Sequence, residues 1–175
     1  APQYRASMQS SSQWNAISPL TRTKWNQDTP YNNMCPKHEG KRSVTGCTAT
    51  AMAQIMKYHE WPQTETSPIP GYTTETARLV LKSLSATTFD WDAMRDSYGM
   101  DAKGDAVAEL MLYCGQAIKS DYSKDATGAY TADVAIALQR YFDYDANIEQ
   151  KRLYHYSPSE WETIIYEELK AGRPV

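Results

Sequence analysis

Apolar residues recur at a helical period along much of this chain and alternate as strands almost nowhere. The clearest case is Asp101 to Ile118, where Val107, Leu110, Met111, Cys114 and Ile118 fall on one face and predict a buried helix. A second helix is predicted from Cys47 to about Tyr58, with Thr48, Met52, Ile55, Met56 and His59 at i, i+4, i+7, i+8 and i+11. A third opens at Thr131, read as its N-cap, and carries Val134, Leu138, Tyr141 and Phe142 inward. The last helix follows Ser157-Pro158-Ser159-Glu160, which reads as an N-cap, a proline at the first helical position and a capping box. Gly172 and Pro174 punctuate its end. Shorter helices are expected over residues 76–84 and 93–98, an extended piece over 88–92, and a strand over 148–156. Residues 1–13 are polar and read as a flexible lead-in or the remnant of a pro-segment, followed by a short helix or extended arm over 14–25. Residues 29–42, the proline-bearing stretch after Pro62, and 121–129 read as loops. The pattern is therefore rich in helix and poor in strand, and it stops at Val175 where a strand would be expected to begin.

Composition narrows the functional classes. With 18 basic and 21 acidic residues and a net charge of −3, the chain has no basic stripe for nucleic acid. No apolar run approaches the roughly 18 residues that span a bilayer. Thirteen tyrosines and five tryptophans suit either a solvent-facing groove or an aromatic core. The cysteines are Cys35, Cys47 and Cys114, an odd number, so an oxidising compartment would leave one thiol free within the chain. A Cys35–Cys114 disulfide is one arrangement, which spacing does not establish. The chain opens at Ala1 without an initiator methionine or a signal peptide, as a processed protein would.

Cys47 carries the candidate chemistry. Val44-Thr45-Gly46 reads as a turn, so Cys47 starts the predicted helix. Unpaired N–H groups and the positive end of the helix dipole favour an anion there, giving a thiol thiolate character. The same N–H groups would receive a developing oxyanion. The competing reading is a small apolar residue opening a core helix. A nucleophile needs a base within hydrogen-bond reach. His59 lies twelve residues along the same helix, on the order of 18 Å away, and cannot serve; a helix-end or core position suits it better. His38, in a loop, and His155, in the expected strand, are weaker candidates. Cys35-x-x-His38 has metal-ligand spacing, but the helix length that separates Cys47 from His59 excludes a four-residue zinc site.

Thr45-Gly46-Cys47, the small-residue run Thr48 to Ala53, and Gln54-Ile55-Met56-Lys57-Tyr58-His59 before Pro62 resemble the nucleophile segment of the streptopain family of bacterial cysteine peptidases. Pro19-Leu20-Thr21, Trp25-Asn26-Gln27, Pro30-Tyr31-Asn32, Glu109-Leu110-Met111, the loop from Asp121-Tyr122-Ser123 to Gly128-Ala129, and Gly172-Arg173-Pro174-Val175 resemble it too. The resemblance runs from about Ile17 to the end. It implies an α+β, papain-like fold of which residues 14–175 form the helical, nucleophile-bearing part, with the sheet half largely absent. It implies a secreted or cell-surface bacterial thiol protease, made as a zymogen, acting on polypeptides through a Cys47 acyl-enzyme without a cofactor or metal. Gly128 and Ala129 would belong to a wall of the substrate cleft. In the family the catalytic histidine follows the segment matching Gly172-Arg173-Pro174-Val175, so a second, C-terminal chain of the same precursor is expected to supply it. No glutamine stands among the residues just before Cys47; Gln27 is a distant alternative for the second oxyanion donor beside the Cys47 N–H. A non-catalytic domain binding peptide or sugar, and another Cys–His acyl transferase, are the alternatives.

Overall fold

The computed structural model describes residues 14–99 and 103–175. The lead-in expected over 1–13 and the start of the helix expected from Asp101 lie outside the described residues. The chain divides into two compact units, one of residues 23–149 and one joining residues up to Arg22 with 150–175. The larger unit runs β1 (Lys37–His38), β2 (Lys41–Arg42), α1 (Cys47–His59), β3 (Tyr72–Thr73), β4 (Val80–Leu81), α2 (Asp105–Ala117) and α3 (Ala132–Tyr141). The smaller holds a 3-10 turn, Leu153–His155, and α4 (Pro158–Lys170).

The core of the larger unit is built where α1 packs on α2 and α2 on α3. The predicted face of α2 is the buried one: Val107, Leu110, Met111, Cys114 and Ile118 are all sealed from solvent. Truncating side chains buried to this degree to alanine costs about 2–5 kcal/mol. The buried stripe of α1 is Ala49, Met52, Ala53 and Met56. It is turned from the expected one, with Thr48 and Ile55 only half-buried and His59 exposed. Small alanines on the inner face let the two helix axes approach, which the longer Ile55 would prevent. The Cys114 thiol donates to Met56 Sδ at 3.5 Å across this contact. Phe89 gathers the aromatic side of the core, with ring centroids 5.2 Å from Trp91, 5.6 Å from Tyr113 and 6.3 Å from Phe142.

Several expectations are corrected. Residues 76–84 form the second arm of a hairpin and no helix: β3 pairs with β4, and Ile69 and Leu84 exchange both backbone bonds beyond them. Tertiary contacts override the short apolar period. The Gln116 amide donates to the carbonyls of Pro70 and Lys82, tying both arms, and Gly71 sits where any Cβ would overlap the Leu81 carbonyl. Residues 93–98 are irregular and form no helix, and 148–156 hold the 3-10 turn in place of a strand. The loop expected over 29–42 contains the β1–β2 hairpin, closed by Glu39 and Gly40, both at positive φ as a two-residue hairpin loop requires. Residues 14–25 are the extended arm, without helix. Thr131 holds the N-cap position of α3 without a side-chain capping bond, while Ala137, Leu138 and Phe142 are buried.

The ends of α4 follow the sequence closely. The Glu160 carboxylate accepts from the Ser157 N–H at 2.7 Å, and Ser157 Oγ accepts from the Glu160 N–H at 3.4 Å. Gly172, at φ 75°, ends the helix by donating to the Leu169 carbonyl, while Arg173 donates to that of Glu168. Within the same unit, the Trp14 ring lies 4.2 Å from that of Tyr166.

Cys35 and Cys114 are free, buried thiols, so the disulfide left open by spacing is not formed. Burial pushes the Cys35 thiol from 9.0 up to about 12 and that of Cys114 higher still. Desolvation raises the phenols of Tyr122, Tyr72 and Tyr144 as well. All five are neutral in the fold, and the unfolded chain gives up these protons first as pH rises. Their stability contribution is therefore complete below about pH 9 and lost from there upward. Thermal denaturation should show Tm falling by several degrees between about pH 9 and 11, with Cys35→Ala reducing the slope. A flat Tm over that range would contradict the burial of these groups.

Candidate active site

Gly46 is the N-cap of α1, at φ 88° and ψ 141°. Side chains on a Cβ resist that conformation, and a Cβ here would also meet the Thr127 carbonyl at 2.9 Å. The helix has no side-chain cap and no acidic residue in its first turn. Its first internal bond is Thr50 N–H to the Gly46 carbonyl at 3.0 Å, reinforced by the Thr50 hydroxyl at 2.9 Å. The N–H groups of Cys47, Thr48 and Ala49 therefore have no protein acceptor among the described residues. Cys47 is exposed, the opposite of the two other thiols. An open helix N-terminus with an exposed thiol on it is suited to hold negative charge on sulfur or on an oxygen bound beside it. The competing reading, Cys47 as a buried opener of a core helix, does not hold.

The strap before Cys47 is bonded on every side. Asn32, itself buried, donates its amide to the Ser43 carbonyl at 3.0 Å. The Val44 N–H donates to the Ser123 carbonyl at 3.2 Å, and the Thr45 N–H to the Gln27 carbonyl at 3.1 Å. The hydroxyls of Thr45 and Thr50 share a buried bond of 2.8 Å. Gln27, twenty residues from Cys47 in sequence, thus lies against the residue two before it. The sequence reading placed Asn32, Thr45, Thr50, Ser123 and Thr127 within its resembling segments but gave none of them a role in holding Cys47. Single polar residues inside loops carry no periodic signal, and only the fold brings them together.

Of the other expected site residues, Gly128 closes the base of the loop that lies on this strap. Its carbonyl accepts from the Asp121 N–H at 2.7 Å, and its own N–H points back at 3.4 Å. A Cβ at Gly128 would meet nothing within 4 Å, so space is open on that side. Ala129 is partly buried and packs on the core. None of the three histidines bonds to Cys47. His59 ends α1, as the helix length requires, and desolvation lowers its imidazole pKa. His38 stands on β1, with Nε2 3.9 Å from Glu39 Oε1. His155 belongs to the smaller unit. Among the described residues no three or more His, Cys, Asp or Glu side chains are grouped to hold a metal ion, and no helix is long and apolar enough to cross a membrane.

This arrangement has counterparts in known proteins. The chain is 29% identical over 172 residues to streptopain from Streptococcus pyogenes serotype M28 (strain MGAS6180), a match covering 86% of this chain and 43% of that protein. It is 26% identical over 156 residues to the thiol protease/hemagglutinin PrtT of Porphyromonas gingivalis, covering 86% of this chain and 18% of that protein. The chain therefore spans less than half the length of these curated relatives. Active wild-type interpain A, a cysteine protease of Prevotella intermedia, superimposes with a TM-score of 0.80 at 33% identity, over 90% of this chain and 67% of that one. A prointerpain A fragment from the same organism gives 0.78 at 29% identity, over 97% and 60%. The fold is papain-like, represented here by helices and a few short strands. With the sequence model of the Peptidase C10 family matching residues 25–175, the chain belongs to that family.

Proposed function

We propose that this chain is the nucleophile-bearing part of a papain-like cysteine endopeptidase, with Cys47 as the nucleophile. The observation that carries the reading is the exposed Cys47 thiol on an uncapped helix N-terminus. Cys47 Sγ attacks the scissile carbonyl, an acyl-enzyme forms as the amine leaves, and water releases the acid. The Cys47 N–H is one oxyanion donor. Gln27 is the second, on the strength of the Thr45 N–H bond to its carbonyl. The histidine that takes and returns the proton comes from polypeptide C-terminal to these residues, on the same precursor or a second chain cut from it. Substrates are polypeptides, and the loop ending in Gly128 and Ala129 forms one wall of their cleft. Residues 1–13 are the remnant of a pro-segment, and residues 14–175 belong to the catalytic domain. A secreted or cell-surface protein made as a zymogen fits this reading, which the prointerpain A match supports by analogy.

An epoxide inhibitor of thiol peptidases, followed by peptide mapping, should label Cys47 once in the protein with its C-terminal part present. Cys47→Ala should abolish both labelling and hydrolysis of a denatured protein. Peptide binding with unchanged affinity in Cys47→Ala and no hydrolysis by the parent protein would instead indicate a binding domain. Transfer of the acyl group to an added amine in preference to water would indicate an acyl transferase.

Iodoacetamide at neutral pH should modify Cys47 alone in the native chain, because Cys35 and Cys114 are buried with raised thiol pKa values. Denaturant should then expose all three thiols to it. A second modified cysteine without denaturant would contradict the packing described above.

Gln27→Ala should lower kcat on the order of 100-fold with KM little changed, the size of effect seen when one oxyanion donor is removed. Steady-state kinetics with a peptide substrate check this, and an unchanged kcat would remove Gln27 from the site.

A further inference from the structure

The loop between α2 and α3 makes one set of bonds whose purpose the peptidase reading leaves open. Thr127 is buried, and its hydroxyl donates to the Val44 carbonyl at 2.7 Å across 83 residues of sequence. The same oxygen accepts the Ser123 N–H at 3.1 Å. Ser123 in turn accepts the Val44 N–H at 3.2 Å, so both backbone groups of Val44 are held by this loop. Two residues on, the Thr127 carbonyl and Cγ2 lie 2.9 Å and 3.1 Å from where a Gly46 Cβ would stand. Thr127 thus grips the strap by its hydroxyl and closes the space beside Gly46 with its backbone and methyl. The grip is anchored at the loop base by the Asp121–Gly128 bridge and by Tyr122, which is fully buried.

We propose that Thr127 is a positioning residue: its hydroxyl fixes the Val44–Gly46 strap and, through it, the direction in which Cys47 and its N–H leave the helix start. The proposal rests on Cys47 being the nucleophile. The Thr127 hydroxyl bonds to Val44 and Ser123 and makes no hydrogen bond to Cys47. Its effect reaches Cys47 through the backbone of Gly46, whose positive-φ conformation has no side chain of its own to hold it.

Replacing the hydroxyl by a methyl leaves the volume almost unchanged, but the Val44 carbonyl and the Ser123 N–H each lose a partner. The test uses the full-length enzyme carrying Thr127→Val, Thr127→Ala or Thr127→Ser, with two readouts. Amide hydrogen exchange at Val44 and Thr45, the bonded amides of the strap, should quicken in T127V and T127A and stay at the parental rate in T127S. The kcat for a peptide substrate should fall on the order of 10-fold to 100-fold in T127V with KM nearly constant, and T127S should restore it. Parental exchange rates in T127V and T127A overturn the proposal whatever the activity. A loss in T127S equal to that in T127V also overturns it, since the methyl would then be the group that matters. If T127V does not fold, T127A and T127S decide by the same two readouts. A parental enzyme without activity or Cys47 labelling would sink the peptidase reading, while the exchange rates would still report on the grip.

Discussion

Everything that places Cys47 passes through the four residues Ser43 to Gly46. Their backbone groups are bonded by Thr50 of the first turn of α1 and by Gln27, Asn32, Ser123 and Thr127, from stretches far apart in the chain. No regular secondary structure fixes this strap, so its conformation depends on every one of those partners being in place. The glycine at its end is required twice, by its backbone angle and by the closeness of Thr127. The exposed Cys47 thiol would otherwise sit on the least determined kind of segment, a loop end. Bonding from several directions gives it the precision of a secondary-structure element.

The partners of the strap are themselves held by the helical core. α1 and α2 meet along faces of small and medium side chains, and the loop that carries Ser123 and Thr127 leaves directly after α2. Gly104, at the N-cap of α2, packs on Pro30, so the segment holding Asn32 is tied to the other end of the same helix. Gly115, near the C-terminus of α2, lies so close to the Tyr122 hydroxyl that no Cβ would fit. One buried helix therefore sets both flanks of the strap. The buried thiols and phenols around it stay neutral, which keeps charge away from the interior and leaves Cys47 as the exposed thiol.

How much of this the sequence discloses depends on how local the cause is. The faces of α2, the capping box of α4 and the position of Cys47 at a helix start all follow from residues within a few positions of one another, and all were legible. The hairpin of β3 and β4 was not, because its four apolar residues also fit a helical period and the deciding contacts come from Gln116 and Gly71. The rotation of α1 escaped because hydrophobicity ranks Ile55 above Ala49 and Ala53, whereas close helix packing reverses that order. At the site, the place of Cys47 at the start of a helix was readable from the residues around it. Its supports were not, since an isolated asparagine or threonine in a loop looks the same whether it faces water or bonds a strap.

The two ends of the chain's helices show what is special about the site. α4 begins with a serine cap, a proline at its first position and a glutamate that completes the box, so its orphan N–H groups are met by its own side chains. α1 begins with a glycine, offers no side chain to its first N–H groups, and has no carboxylate nearby in its first turn. A serine or aspartate in place of that glycine would ordinarily stabilise a helix start by roughly a few tenths of a kcal/mol. The gain is unavailable here on two grounds. The backbone angle rejects a side chain, and a Cβ would meet the Thr127 carbonyl. The absent cap is thus coupled to the strap: because α1 cannot hold its own start, the loops around it must.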